Sequence, residues 1–524
     1  MSTQPDSPSA GRGVRWWPAA AILLLAAGAW VWIWWIQEAP ARQQRVMQTM
    51  LLVPATFVLL VLWLLLFSRL RWRLRLGVFA VVAVLVAAAA FTLELRSFSG
   101  DVVPHFAFKW SPKQDPTLTT ELPAAAGAAP AGDAGGDFPQ FLGPQRNATV
   151  GGLELARDWQ AEPPEELWRR PIGAGHSGFA VAGGIAVTHE QRGEREMVVA
   201  YDLLSGAVLW SHGVEARYES PLAGDGPRAT PAIAGDTVYA LGATGILSAL
   251  DLRRGELRWS ADLLAGGDAK MPAYGFSGSP LVLDDVVVVV AGGDGRALRA
   301  YDRTTGELRW AAGSYDAAYA SPLVATIAGV RQIVVFNQQG LTGHALDGAV
   351  LWQTPWPSST ERASQPVPLP GDRLFVSSGY GVGGKLFQLR RDGAGTFHVD
   401  LLWESTKLKT KFTQAVYRDG YLYGLDDGIL ACVDVATGER AWKGGRYGHG
   451  QILLVGDLIL VSTEKGEVAL VEARPDAYVE LARIPAIEGK TWNNPALAGP
   501  YLLVRNSQEA ACFKLPARRL QAAS

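Results

Sequence analysis

Three long apolar runs open the chain, and short alternating runs fill most of the remaining length. Trp16 to Ile36 holds 21 residues without a charge, enough at about 1.5 Å per residue to cross the roughly 30 Å hydrocarbon core of a bilayer. Apolar runs over 50–67 and 76–93 predict two further spanning helices. Trp16, Trp17, Trp32, Trp34 and Trp35 stand at the ends of the first run, where indole rings favour the headgroup zone. A cleaved leader fits poorly, because the run is long, lacks a small-residue cleavage site and precedes two more spans. Arg69, Arg71, Arg73 and Arg75 crowd the second connection, whereas Arg42 and Arg45 in the first are offset by Glu38. This asymmetry places the second connection in the cytoplasm and everything after Leu93 outside it. The arginines are also suited to anionic lipid heads.

The membrane part is read as 1–96, followed by a flexible linker over 97–136. Its stretch from Ser111 to Gly136 is rich in Pro, Ala and Gly and has no hydrophobic period. From 137 to 518 the pattern is all-β: runs rich in Val, Leu, Ile and Tyr are separated by Gly and Asp turns. Residues 519–524 form a tail.

The β part repeats itself. AYDLLSGAVLW (Ala200 to Trp210), ALDLRRGELRW (Ala249 to Trp259), AYDRTTGELRW (Ala300 to Trp310) and CVDVATGERAW (Cys432 to Trp442) share small-x-Asp-x-x-x-Gly-x-x-x-Trp. The pattern predicts a strand, a tight turn capped by the Asp side chain with Gly at positive φ, and a second strand ending on a Trp that wedges against the next repeat. Looser copies end at Trp352 and Trp403, and ELW supplies Trp168. Trp168, Trp210, Trp259, Trp310, Trp352, Trp403 and Trp442 are 39 to 51 residues apart, the length of a four-stranded propeller blade. A degenerate copy (469–484) and a last unit (492–515) bring the count to eight. Pairing the final ACFKL segment with the first ELW segment would close the ring and remove both sheet edges.

This Trp-ending repeat resembles the docking motif of pyrroloquinoline-quinone-like (PQQ-like) β-propellers, over about seven tenths of the chain. The expected fold is an eight-bladed, quinoprotein-like all-β propeller behind three transmembrane helices. As the resemblance is to bacterial proteins, the expected location is a bacterial inner membrane with the propeller on its periplasmic side. The family includes quinoprotein alcohol and sugar dehydrogenases and the scaffolding lipoprotein of the outer-membrane β-barrel assembly machinery. It implies either a binding or scaffolding module for a protein, peptide or small ligand, or a membrane-anchored PQQ-dependent alcohol or sugar dehydrogenase.

Charge and chemistry narrow this choice. Residues 1–110 carry ten Lys and Arg against four Asp and Glu, leaving 38 against 46 in the remainder. An acidic extramembrane part disfavours nucleic acid as a partner and leaves the bilayer and a protein, peptide or small ligand. Cys432 and Cys512 fall in the small-residue slot that Ala200, Ala249, Ala300 and Ala345 fill elsewhere, and read as core packing. No close metal-ligand spacing joins the seven histidines.

Repeat alignment sets one group of residues at the start of each innermost strand, facing the central channel: His176, Arg228, Ser277, Tyr319, Ala363, Phe412, His449 and Trp492. Two positions further on stand Gly178, Thr230, Ser279, Ser321, Gln365, Gln414, Gln451 and Asn494. These make the candidate ligand rim, with a solvated channel lining as the alternative. A PQQ enzyme would need donors to the cofactor carboxylates, an indole floor, Ca²⁺ held by carboxylate and amide oxygens, and a carboxylate base. Arg228, Trp492, Asn493, Asn494, Asp426 and Asp427 are the residues on offer. The adjacent cysteine pair of many alcohol dehydrogenases of this kind is absent, so no catalytic, cofactor or metal residue is assigned.

Overall fold

The computed structural model describes residues 14–38, 41–111, 135–220, 222–265, 267, 269–357 and 360–520. The chain forms two compact units, Met1–Lys113 and Gln114–Ser524.

The first unit contains three helices long and apolar enough to cross a membrane: Trp17–Ile36, Arg42–Phe67 and Trp72–Thr92. The second and third begin earlier than the apolar runs at 50 and 76, because helical hydrogen bonding continues through the flanking arginines. Those arginines cap helix ends, whose last carbonyls lack intrahelical donors. Arg45 donates to Trp34 O at 3.2 Å, and Arg75 donates to Leu65 O at 2.7 Å and Leu70 O at 2.9 Å. A hairpin, Leu93–Phe98 with Pro104–Phe108, spans the end of the expected membrane part and the start of the expected linker. Its alternating Leu93, Leu95, Phe106 and Phe108 give a β pattern too short to stand out beside the apolar helix before it. The remainder of the expected linker, 112–134, lies outside the described residues.

The second unit is an eight-bladed propeller. Seven blades are consecutive four-stranded antiparallel meanders spanning 180–215, 232–262, 281–312, 323–355, 367–405, 415–446 and 451–485. The eighth takes three strands from the C-terminus, Ala496–Ala498, Tyr501–Arg505 and Glu509–Lys514, and its outer strand from Glu165–Pro171. Cys512 pairs with Trp168, so the ring closes as the ACFKL and ELW segments predict. Cys432 and Cys512 are free and buried, in the sixth and eighth blades.

The joint between blades is an indole seated on a glycine. In the capped turns, Asp202 accepts from the N–H groups of Leu204 and Ser205, and Asp302 from those of Thr304 and Thr305. The turn glycine then adopts positive φ, +68° at Gly206 and +76° at Gly306, a region open to glycine at little cost. The Trp of the preceding blade lies on it: a Cβ on Gly306 would stand 2.7 Å from the Trp259 ring. The ring N–H donates to the same turn, Trp168 to Leu203 O (2.8 Å), Trp210 to Leu252 O (2.7 Å) and Trp259 to Arg303 O (3.0 Å). Trp403 and Trp442 donate in the same way to Val435 O and Arg474 O.

The fourth blade departs from the pattern. Gly343, not Ala345, pairs with Trp352, because the shortened turn moves the small-residue slot back along the strand. Trp352 donates within its own blade to Gln332 Oε1 at 2.5 Å.

Residues 137–150 form a strap across one end of the channel, at the inner-strand tips. Phe138 bridges Val181, Ile233 N–H donates to Pro139 O, and Thr149–Val150 pairs in parallel with Leu454 and Val455. From this strap Arg146 reaches up the channel and donates to Ser279 O at 3.0 Å and Pro280 O at 2.8 Å. Burial pushes its pKa down to about 9.

Truncation of a buried indole costs about 3–5 kcal/mol, and that loss is expected for Trp259→Ala in chemical denaturation of the propeller unit. Gly306→Ala should be costly beside Trp259, through both ring clash and backbone strain. In the Trp259→Ala background only the strain remains, so the double-mutant cycle should show coupling of about 1 kcal/mol or more. Additive losses would dissociate the indole from the glycine.

Candidate functional site

Both groups of rim residues lie along the channel, but they do different work. The group nearer the strand interiors is consumed by a belt of hydrogen bonds from blade to blade. Gly178 N–H donates to Thr230 Oγ1, Thr230 N–H to Ser279 Oγ, Ser279 N–H to Ser321 Oγ and Ser321 N–H to Gln365 Oε1, at 2.9–3.1 Å. On the opposite side Gln414 donates to Asn494 Oδ1 at 3.3 Å, and Gln451 donates to Phe412 O and Trp492 O. These side chains hold the ring together. Expected as ligand groups, they are mostly buried and already paired. The Oε1 atoms of Gln414 and Gln451 and Asn493 Oδ1 are buried without a donor among the described residues, which suits ordered water.

The outer group forms the mouth of the channel, at the end away from the strap. Four members come together on one side: Trp492 stands 5.5 Å from His176 and 4.9 Å from Phe412, and Phe412 stands 5.6 Å from His449, centroid to centroid. Glu464 ties this cluster, accepting from Trp492 Nε1 at 2.9 Å and from His449 N–H at 3.1 Å. Lys490 Nζ lies 4.1 Å from the Trp492 ring centroid, and burial lowers its pKa to about 8. His176 Nε2 is 2.6 Å from Ala223 O, so that nitrogen carries the proton. Burial and the charges of Arg228 and Lys490 hold the imidazole neutral.

Arg228 borders this aromatic cluster on the His176 side. It donates to Gly224 O and Gly226 O and lies 4.7 Å from the Tyr218 ring centroid. Beyond it are phenols. The Tyr274 and Tyr319 rings are 5.5 Å apart, the Tyr274 N–H approaches the Tyr319 hydroxyl at 3.4 Å, and the Tyr319 N–H donates to Arg362 O at 2.8 Å. Tyr380 completes the row beneath Lys411, whose Nζ is 5.2 Å from its ring centroid. Ser277 bonds locally to Gly275 O.

Sequence alignment thus finds His176, Arg228, Tyr319, Phe412, His449 and Trp492 at the mouth and misses Tyr218, Tyr274, Tyr380, Glu464 and Lys490. The missed residues lie in connections of unequal length, which a repeat alignment does not index.

The described residues do not fit PQQ with Ca²⁺. The one indole on the channel, Trp492, is covered by Lys490 and Phe412, which leaves no flat floor. Glu464 already serves Trp492 Nε1 and the His449 N–H. No group of three or more His, Cys, Asp or Glu side chains suited to a metal occurs among the described residues.

An eight-bladed ring with Trp-docked, Asp-capped blades and a self-closing last blade defines a quinoprotein-like propeller. Residues 194–444 match the sequence profile of the family described as outer membrane protein assembly factor BamB. The fold is similar to BamB from Moraxella catarrhalis, at TM-score 0.51 and 17% identity, over 67% of this chain and 98% of that one. It is also similar to quinohemoprotein alcohol dehydrogenase from Comamonas testosteroni, at TM-score 0.54 and 12% identity, over 74% and 82%. No curated protein sequence matches significantly. The chain carries a PQQ-like repeat propeller whose fold is similar to those of BamB and of quinohemoprotein alcohol dehydrogenase.

Buried imidazoles near the seam between the eighth and first blades give this propeller a pH signature. His189 is buried with its Nδ1 unpartnered among the described residues, and burial pushes its pKa down to about 3. An unfolded imidazole titrates near pH 6.5. Between those values the unfolded chain holds a proton that the folded chain does not, so this group's contribution weakens as pH falls below about 6.5. The slope is about 1.4 kcal/mol per pH unit. His189→Gln should lose about 2 kcal/mol less stability than the parent between about pH 7.5 and about pH 5, measured by chemical denaturation.

Proposed function

We propose that the protein is a non-catalytic binding or scaffolding propeller, held at the periplasmic face of a bacterial inner membrane by three helices. Its ligand or partner binds at the channel mouth. The observation that carries this reading is the division of labour between the two groups of channel residues. The inner belt is spent on ring cohesion, while the mouth gathers the charged Arg228 and Lys490 beside the aromatic Tyr218, Trp492, Tyr274 and Tyr319. Charged groups set among aromatic rings around a concave opening are the usual furniture of a recognition site. The crowded Trp492 ring argues against the dehydrogenase alternative.

A photo-reactive amino acid at Ser277, on the mouth, should capture a partner in intact cells, whereas one at Arg253, in an outer turn, should not. Capture from Arg253 alone would move the site to the blade edges. Incubation of the purified chain with PQQ and Ca²⁺ should yield neither cofactor absorbance nor dye reduction; either signal would restore the enzymatic reading.

The orientation rests on the arginine-rich second connection. Reporter fusions at Arg71 and Ala129 should give cytoplasmic and periplasmic signals respectively, and the reverse pattern would invert the topology.

A further inference from the structure

We infer that the cleft between the second and third helices binds an anionic phospholipid, with an acyl chain along an apolar groove and the phosphate at Arg75. The inference is independent of the channel mouth and rests on the reading that these helices span a bilayer. The first helix packs on the second: the Trp16 and Trp63 rings stand 5.5 Å apart, and Trp34 Nε1 donates to Thr49 Oγ1 at 3.1 Å. The third helix, Trp72–Thr92, buries none of its residues. Between it and the second helix lies a groove of about 410 Å³, lined by apolar side chains alone. Phe57, Val61 and Phe79 wall this groove, and Ala83, Ala87 and Ala90 leave it open by their small size. From Phe79 to Ala90 the third helix runs about 16 Å, close to the hydrocarbon depth of one leaflet.

Arg75 closes the end of the cleft nearest the connection between these helices. It stands one helical turn before Phe79, and therefore on the same face. Its guanidinium reaches across to the second helix, with Nη1 donating to Leu65 O at 2.7 Å and Nε to Leu70 O at 2.9 Å, while Nη2 has no acceptor among the described residues. Arg69, Arg71 and Arg73 beside it are exposed, and no acid interrupts the sequence from Ser68 to Leu76. A guanidinium with a donor to spare at the head of an apolar groove suits a phosphate whose acyl chain descends along the helices. A zwitterionic lipid gains the groove but less from the arginines. A second copy of this chain would bring four more arginines against these four, because copies in one membrane share an orientation.

The test is native mass spectrometry of the full chain released from maltoside micelles, titrated with phosphatidylglycerol and phosphatidylcholine of identical acyl chains. Phosphatidylglycerol should bind about tenfold or more tightly. Arg75→Gln should abolish that preference. Because Arg75 also caps the second helix, Arg71→Gln with Arg73→Gln is the parallel variant, and it should cut the preference about fivefold or more without weakening phosphatidylcholine. Ala83→Leu with Ala87→Leu, which fills the groove and keeps the arginines, should weaken both lipids about fivefold or more.

Equal affinity for the two lipids would overturn the inference. So would unchanged phosphatidylglycerol binding in the groove-filled variant, which would reduce the arginines to a charged surface. A dimer of the delipidated chain that Ala83→Leu with Ala87→Leu dissolves, or a co-purified membrane protein lost with the same change, would give the groove to another helix and overturn it too. Alkaline carbonate extraction tests the underlying reading separately: a chain stripped from membranes would sink the spanning helices, whereas one that stays but shows no lipid preference sinks this inference alone.

Discussion

At five of the eight joints one blade depends on the next lacking a side chain at one point. The indole of the outer strand can reach its neighbour's turn only because glycine stands there, and in the capped turns the aspartate four residues earlier fixes the glycine at positive φ. Asp, Gly and Trp are thus three parts of one joint, although the first two belong to one blade and the third to its neighbour. Where one part changes, the others adjust. The turn after Gly343 is shorter, and Trp352 turns its N–H inward to Gln332. The seventh blade has neither the glycine turn nor a terminal Trp. There Tyr478 packs 5.7 Å from Trp442, and Arg474 supplies the accepting carbonyl.

The outer joints alone would leave the ring free to splay at its axis. The inner belt from Gly178 to Gln365 prevents this with bonds that step once per blade. The seam where the chain ends meet has further reinforcement: Arg505, almost fully buried, donates from the eighth blade to Thr188 Oγ1, His189 O and Gly173 O around the first. A buried guanidinium is stable only when its donors are met by acceptors, and here backbone carbonyls of the first blade meet them. Cohesion is therefore concentrated in the turns, the belt and the seam. The connections above the belt carry little of it and are free to vary in length and chemistry.

That division explains what the sequence reveals. The blades are legible because their joint recurs with fixed spacing, so Trp210, Trp259 and Trp310 announce themselves even with unrelated residues between them. The three helices are legible from hydrophobic length alone. The strap at 137–150 is not, because it occurs once and its buried Arg146 looks like any surface arginine until Ser279 and Pro280 are seen to accept from it. The hairpin after Thr92 is hidden for the same reason. At the site, alignment finds the aromatic cluster of His176, Phe412, His449 and Trp492, since those positions keep step with the repeat. It also overreads Thr230, Ser279 and Ser321, whose hydroxyls point along the belt. It has no means of finding Tyr274 or Lys490, which belong to connections of unequal length.

The mouth that results has two chemically distinct sides. Around Trp492 an indole, two imidazoles and an ammonium group pack against each other and against Glu464, so those rings are mostly spent on mutual contact. Across from them the Tyr274 and Tyr319 rings pack 5.5 Å apart at an interplanar angle of 50°. Arg228 stands between the two sides, fixed by the carbonyls of Gly224 and Gly226. The strap crosses the far end of the channel, so the two ends of the propeller differ. A planar cofactor needs one flat aromatic floor, which the crowded indole does not provide.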